Sequence, residues 1–240
     1  VVALDDATYL TWSDNARTSE DFSHYRVYLQ DGSELFFLGE TDSEGFLDLL
    51  ATNGVTSTYM LASVDVHGHE SETGAAASGT PRPDFHGEWI YDWFDVPGAS
   101  GFRFAASEET DPIVSGDSPS RHFRLETDAA GWWLVPGPGT QIHPEGFVTT
   151  ALKCGVGADA GCASLDVAPT SGYVAQDVAL DAQTTYVLRV VGDDGQDHFA
   201  AVRVVLLGFD QAGSALAIFD WAYQLQPGNP ELVRRPAATR

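Results

Sequence analysis

Few side chains in this 240-residue chain stand in the groupings that reactions or metal ions require. Cys154 and Cys162 flank the Gly/Ala-rich segment GVGADAG, a span short and flexible enough to close a small disulfide loop. Two free thiols, or half of a metal site without its other two ligands nearby, are the competing readings. A disulfide there would place the protein outside the cytosol. Asp193-Asp194-Gly195-Gln196-Asp197 gathers carboxylates that calcium accepts, yet it lacks the loop spacing and the closing bidentate Glu of an EF-hand, so it reads as a hairpin turn. His67-Gly68-His69-Glu70 does not form the HExxH pattern, which sets two His one helical turn apart, because this segment falls at a corner between strands. No metal is expected at either place.

Catalytic signatures are missing from the sequence. There is no GxSxG elbow, no phosphate-cradling Gly loop and no CxxC. Carboxylate pairs such as Glu108-Glu109 would suit a glycosidase, but among 35 acidic residues adjacent pairs arise by chance. The expectation is therefore a protein that is not an enzyme. Indoles are the stronger pointer to function, since Trp89, Trp93, Trp132, Trp133 and Trp221 all lie in the second part of the chain. Adjacent Trp132 and Trp133 must face opposite sides of a strand, one toward a core and one toward a surface or interface. Trp89, Trp93, Trp132 and Trp133 are thus the candidate interface anchors, with a sugar-stacking platform as the alternative.

The surface that presents these groups is strongly acidic. Twelve Lys and Arg against 35 Asp and Glu give a net charge of −23. Nucleic acid is excluded as a default partner, because a polyanion is bound by basic side chains that release its counterions. An acidic surface instead speeds encounter with a basic protein. Lys153 is the only lysine among the 12 basic residues, a bias that a high-GC genome or a salt-adapted organism also produces. No apolar run is long enough to span a bilayer. The opening VVALDDATYLTW has no basic start and no apolar core, as expected of a mature or trimmed chain.

The hydropathy pattern asks for strands throughout. Period-two alternation in TYLTW and HYRVYLQ, turn signals at Asp31-Gly32 and Asn53-Gly54, and the segments LFFLGE, GFLDLL and STYMLASVDVHGHES predict six or seven short strands before residue 82. Met60, the single methionine, falls on one of them. ETGAAASGTPRPD, residues 72 to 84, reads as the end of that unit followed by a linker. Beyond it, EWIYDWFDV, GFRFAA, HFRLE, GWWLVP, GFVTTAL, TTYVLRVV, HFAAVRVVLL and ALAIFDWAYQL are successive strand candidates. In the last of these, Phe219, Trp221, Tyr223 and Leu225 share one face, and Asp220, Ala222 and Gln224 the other, so one face is built for burial. The fold class is all-β. The expected division is a sandwich over 1–82, a short linker at 83–84, a second antiparallel β-domain over 85–232 and a C-terminal tail at 233–240.

Two resemblances sharpen this reading. Trp12 on an early strand, Tyr25, Val27 and Tyr28 on a middle strand, Tyr59 opening TYMLASVD, and Gly68 with Glu70-Ser71 before the last strand resemble a fibronectin type III domain. That resemblance implies a spacer or adhesion module. TTYVLRVVGDDGQDHFAAVRV followed by IFDWAYQLQPGNPEL, about residues 182 to 232, resembles the closing strands of the HmuY-like family of bacterial envelope haem-binding proteins. The matching motif is structural, and none of that family's haem ligands is carried over.

Haem needs one or two axial ligands in an apolar pocket. The second domain offers His86, His122, His143 and His198, of which His122 and His198 open strands beside Phe123 and Phe199 while His143 sits in the loop GPGTQIHPEG. His122, His143 and His198 are the haem candidates, and solvent-facing histidines at strand ends are the other reading. The functional expectation is an accessory subunit without a cofactor, located in the periplasm or outside the cell. It would dock on the outer face of a membrane-anchored protein assembly of a bacterial envelope, with a basic electron-transfer partner as one example. A haem-binding envelope protein or a carbohydrate-binding module is the alternative.

Overall fold

The computed structural model describes residues 1–13, 15–107, 110–148 and 167–232. Cys154, Cys162, Lys153, Glu108-Glu109 and the tail 233–240 lie outside the described residues. The described chain is all-β and carries no α-helix. No helix among the described residues is long and apolar enough to cross a membrane.

The first compact unit, Val1–Arg82, is built from β1 (Val2–Leu4), β2 (Ala7–Thr11), β3 (Phe22–Asp31), β4 (Glu34–Thr41), β5 (Gly45–Asp48), β6 (Ser57–Asp65) and β7 (Ala77–Gly79). They form two antiparallel sheets, β1-β2-β5 and β4-β3-β6-β7. Alternation sends Leu10, Val27 and Tyr59 into the space between the sheets, with Trp12, Leu29, Leu38 and Phe46 packed around them. Trp12 meets Tyr25 edge to face at 5.4 Å. Tyr59 carries a polar group into this core and satisfies it, its hydroxyl donating to the buried Asp48 carboxylate at 2.8 Å. Met60 is half-buried on the opposite face of the same strand. The small-residue stretch after residue 72 differs from expectation: Ala77–Gly79 pairs with Ser57–Tyr59 as β7. Small side chains do not prevent backbone pairing at a sheet edge, and Gly79 fits because a Cβ there would press on Val1 at 2.6 Å.

The second unit begins at Pro83. Residues 83 and 84 are already part of its sheet, since Tyr223 N–H donates to the Pro83 carbonyl and Asp84 is registered with Ala222. Its strands are β8 (Asp84–Tyr91), β9 (Gly101–Phe102), β10 (Ile113–Val114), β11 (Phe123–Asp128), β12 (Gly131–Pro136), β13 (Thr140–Ile142), β14 (Phe147–Val148), β15 (Val178–Ala179), β16 (Thr184–Val191), β17 (Asp197–Phe209) and β18 (Ala215–Tyr223). A five-stranded sheet, β10-β9-β11-β12-β15, faces a six-stranded one whose main order is β13-β16-β17-β18-β8, with β14 also on β16. Between them lies an aromatic core in which Phe102, Phe123, Phe219 and Trp221 touch one another at 5.0 to 5.7 Å. Each fully buried Phe contributes roughly 2–3 kcal/mol of apolar burial.

Among the described residues, the outer side of the six-stranded sheet is covered at one end. Val187, Ala201 and Ala222 stand in one cross-strand row, buried beneath Ala168 and Leu232 with Phe147, Tyr173 and Phe199 alongside. Gln224 is buried as well and donates from its amide to the Glu231 carbonyl at 2.9 Å, which fastens this cover. The expected polar face of β18 is therefore buried from Ala222 onward, because the chain folds back over it.

Candidate functional site

Among the described residues nothing covers the other end of that outer face, where Trp89 and Leu206 are exposed. Leu206 on β17, Ile218 on β18 and Trp89 on β8 are direct cross-strand partners, and the next row brings together Gly208, Leu216 and Tyr91. Partners in an antiparallel sheet project to the same side, so these two rows make one apolar strip. Trp89 is 53% exposed and Leu206 47%. A register shift between Val204 and Leu206 brings Leu206 outward. Beyond the strip the same face turns polar: Arg203 is registered with Asp220, and His86 Nδ1 lies 3.2 Å from the Asp220 carboxylate. Burial opposes ionisation of Asp220, but hydrogen bonds from His86 and from Gly87 N–H outweigh it and hold the carboxyl below its ordinary range. Residues 84–102 and 203–223, which carry the strip, contain Asp84, Glu88, Asp92, Asp95, Asp210 and Asp220. The only Lys or Arg in them is Arg203 on β17, which is buried and bonded to Gln183.

The remaining indoles are held by their own unit. Trp93 donates to Asp117 at 3.1 Å and lies under the Arg124 guanidinium, 4.2 Å from its ring. Trp132 turns inward against the core and meets Phe209 at 5.7 Å. Trp133 points the other way, as adjacency on a strand requires, and donates to Asp128 at 3.0 Å. Trp89 is the one Trp candidate for which more than half of the surface is open. Phe94, 64% exposed and absent from the sequence-derived candidates, extends the apolar surface next to Trp93.

The histidine candidates divide. His122 and His198 line one pocket of about 200 Å³ with Arg103, Phe104, Asp194 and Tyr223, where the open ends of the two sheets meet. His122 Nδ1 accepts the Phe104 N–H at 3.0 Å, which places its proton on Nε2. Burial, helped by the nearby Arg103 charge, pushes His122 down to about 4, so its ring is neutral near neutrality. His198 sets Nδ1 against the Gln224 carbonyl at 3.0 Å and Nε2 against the Asp194 carboxylate at 3.1 Å. The Tyr223 ring lies 6.3 Å from His122 and 5.6 Å from His198, and burial followed by the Asp194 and Asp193 charges raises its hydroxyl to about 12. Arg103 donates from Nη2 to both carboxylate oxygens of Asp193 at the pocket rim. His143 is elsewhere, beside Phe147 and Tyr173 at 5.5 and 5.8 Å.

This pocket does not fit a porphyrin. Its volume is below the roughly 300–1,000 Å³ of sites that enclose drug-sized ligands, and haem is larger than those. Both nitrogens of His198 already face oxygen, so coordination through either one would displace the contact it makes. Among the described residues no three His, Cys, Asp or Glu side chains are grouped to hold a metal ion. The Asp193–Asp197 segment forms the turn between β16 and β17, with Gly195 at φ +73° and Asp194 accepting the Gln196 N–H. At His67-Gly68-His69 the carboxylate of Asp65 accepts both backbone N–H groups and faces the His69 ring at 2.9 Å.

No protein-family profile and no curated protein matches this sequence. Among solved structures, the chain is similar to a cycloalternan-degrading enzyme from Trueperella pyogenes in complex with cycloalternan, at 12% identity and a TM-score of 0.26, over 95% of this chain and 32% of that one. A second structure of the cycloalternan-degrading enzyme from Trueperella pyogenes matches at 12% identity and a TM-score of 0.25, over 95% of this chain and 29% of that one. The chain thus spans about a third of the length of these chains, and a likeness at such TM-scores carries neither a fold nor an activity across.

Proposed function

We propose that the protein is a non-catalytic accessory subunit that docks, through the Trp89–Ile218–Leu206 strip, onto the outer, periplasmic face of a membrane-anchored assembly in a bacterial envelope. The observation that carries this reading is the strip itself: a row of apolar side chains across three strands, with Trp89 and Leu206 about half open to water and Asp220 farther along the same face. Interfaces combine an apolar centre, in which Trp is enriched, with a polar rim. With Asp220 on the same face and Arg203, the one Lys or Arg of these segments, buried, the partner that fits is a protein presenting an apolar patch ringed by Lys and Arg, as a basic electron carrier of the cytochrome type does. The net charge of −23 favours the same class of partner at a distance.

The first unit acts in this reading as a fibronectin type III-like spacer, and its three-plus-four arrangement of seven strands supports that assignment. The HmuY-like assignment of the second unit draws support from the β16-β17-β18 succession, without a haem function attached. The test is size exclusion of a gently solubilised envelope fraction at low and at high salt, with the protein followed by antibody. A large, salt-sensitive complex whose other members are identified by mass spectrometry is expected. A lone species near 25.8 kDa at low salt removes the proposal.

A further inference from the structure

The edges of the four sheets are protected unequally. β1, β7 and β13 have three residues each, β10, β14 and β15 have two, and β5 has four. β8 is long, but it is interrupted opposite Phe219 and Trp221 and turns the half-buried Glu88 carboxylate inward. Short strands, bulges and inward charges are the devices by which sheets avoid pairing with other chains. β4 uses few of them. It is an eight-residue edge strand without Pro, Lys or Arg, and its irregularity, opposite Val27 and Tyr28, leaves the run Glu34–Phe37 in regular register with Tyr28–Asp31. Three consecutive apolar residues of that run are open to water: Leu35 at 42%, Phe36 at 49% and Phe37 at 58%.

We propose that β4 is a strand-addition site, taking an extended segment of a partner protein in which basic and apolar side chains alternate. The backbone decides the shape of the occupant. An edge strand offers an outward row of N–H and C=O groups, and what satisfies such a row is another strand. Charge decides its composition. Arg26 and His24 on β3 pair with Glu40, but residues 27–81 contain no Lys or Arg, and Asp31, Glu34, Asp42 and Glu44 stand around the edge. A second copy of this chain, itself carrying −23, would bring the same carboxylates to the same edge. Alternation puts the apolar side chains of the added strand on one face, beside Leu35 and Phe37, and its basic side chains on the other, beside Glu34 and Phe36. These residues are separate from the Trp89 strip, so this inference stands or falls independently of the docking reading.

The test uses the full chain, titrated with an octapeptide of alternating Arg and Val and followed by residue-resolved amide hydrogen exchange. The expected result is at least tenfold slower exchange at alternate amides across residues 34–39. The same octapeptide with alternate backbone nitrogens methylated should have no effect, because it cannot extend a sheet. Phe37→Lys and, separately, Leu35→Lys should each weaken binding at least tenfold, while Trp89→Ser leaves it unchanged. Equal binding of the methylated peptide, unchanged exchange across 34–39 at saturating peptide, or a concentration-dependent dimer abolished by Phe37→Lys would each overturn the proposal.

Discussion

Trp89 and Ile218 are direct partners across the β8–β18 pair, and both project to the side of the sheet away from the aromatic core. The core side is served in the same strands by Ile90 and Phe219, which are 1% exposed. Trp89 therefore lies outside the core and is open to water.

Trp89→Ser is expected to leave thermal and urea stability nearly unchanged, within about 0.5 kcal/mol, as for other surface positions. Urea unfolding followed by circular dichroism checks this. A loss above about 2 kcal/mol would make Trp89 a packing residue and withdraw its role as an anchor.

Tyr59→Phe is expected to destabilise the first unit by about 1.5–3 kcal/mol, because it removes the hydroxyl that donates to the buried Asp48 carboxylate. Equilibrium urea unfolding compared with the parent chain measures the effect. Burial also raises Tyr59 to about 12, as it does Tyr173 and Tyr223. The unfolded chain then loses these protons from about pH 10 and the folded one only near 12, so stability falls as pH rises through that window.

His122 supplies the opposite pH dependence. Its folded value of about 4 is below the ordinary 6.5, so the unfolded state takes up the proton first as pH falls. Stability present above pH 6.5 is lost by about 3 kcal/mol on approaching pH 4. His122→Asn keeps an acceptor for the Phe104 N–H and removes the titration. Unfolding at pH 7 and pH 4.5 should show a smaller acid loss in the variant, and an equal loss would assign it to other groups.

Gly137→Ala should be severely destabilising, by about 3 kcal/mol or more, since an added Cβ would sit 1.9 Å from the Arg121 carbonyl oxygen, and backbone has no rotamer by which to yield. Gly195→Ala, at an open turn where only the φ of +73° resists a side chain, should cost about 1 kcal/mol. Thermal melts of the two variants rank these effects.

Strands that carry a continuous run of aromatic and β-branched residues between turn signals were legible in the sequence. GWWLVP and TTYVLRVV coincide with β12 and β16, and the inward set Phe219, Trp221 and Tyr223 is the one found. Short strands such as β10, β13 and β15 have too few residues to show a period, and β7 is hidden in a Gly/Ala stretch whose pairing depends on β6. EWIYDWFDV was read as one strand, but pairing stops at Tyr91, where the buried Asp92 carboxylate accepts the N–H groups of Phe94 and Thr127 and turns the chain. GFRFAA pairs only over Gly101–Phe102. The candidate surface was half legible. Trp89 stood out as a residue type, but its row with Ile218 and Leu206 depends on two register shifts that local sequence does not encode. The meeting of His122 with His198, far apart in sequence, is of the same non-local kind.

The most direct measurement is the affinity of the full chain and of its Trp89→Ser variant for the partner isolated with it, in one buffer at low ionic strength. The account predicts a loss of at least about thirtyfold, which corresponds to an interface anchor worth about 2 kcal/mol, with folding unaffected. Equal affinity of the two proteins would contradict the assignment of the Trp89–Ile218–Leu206 strip as the docking surface.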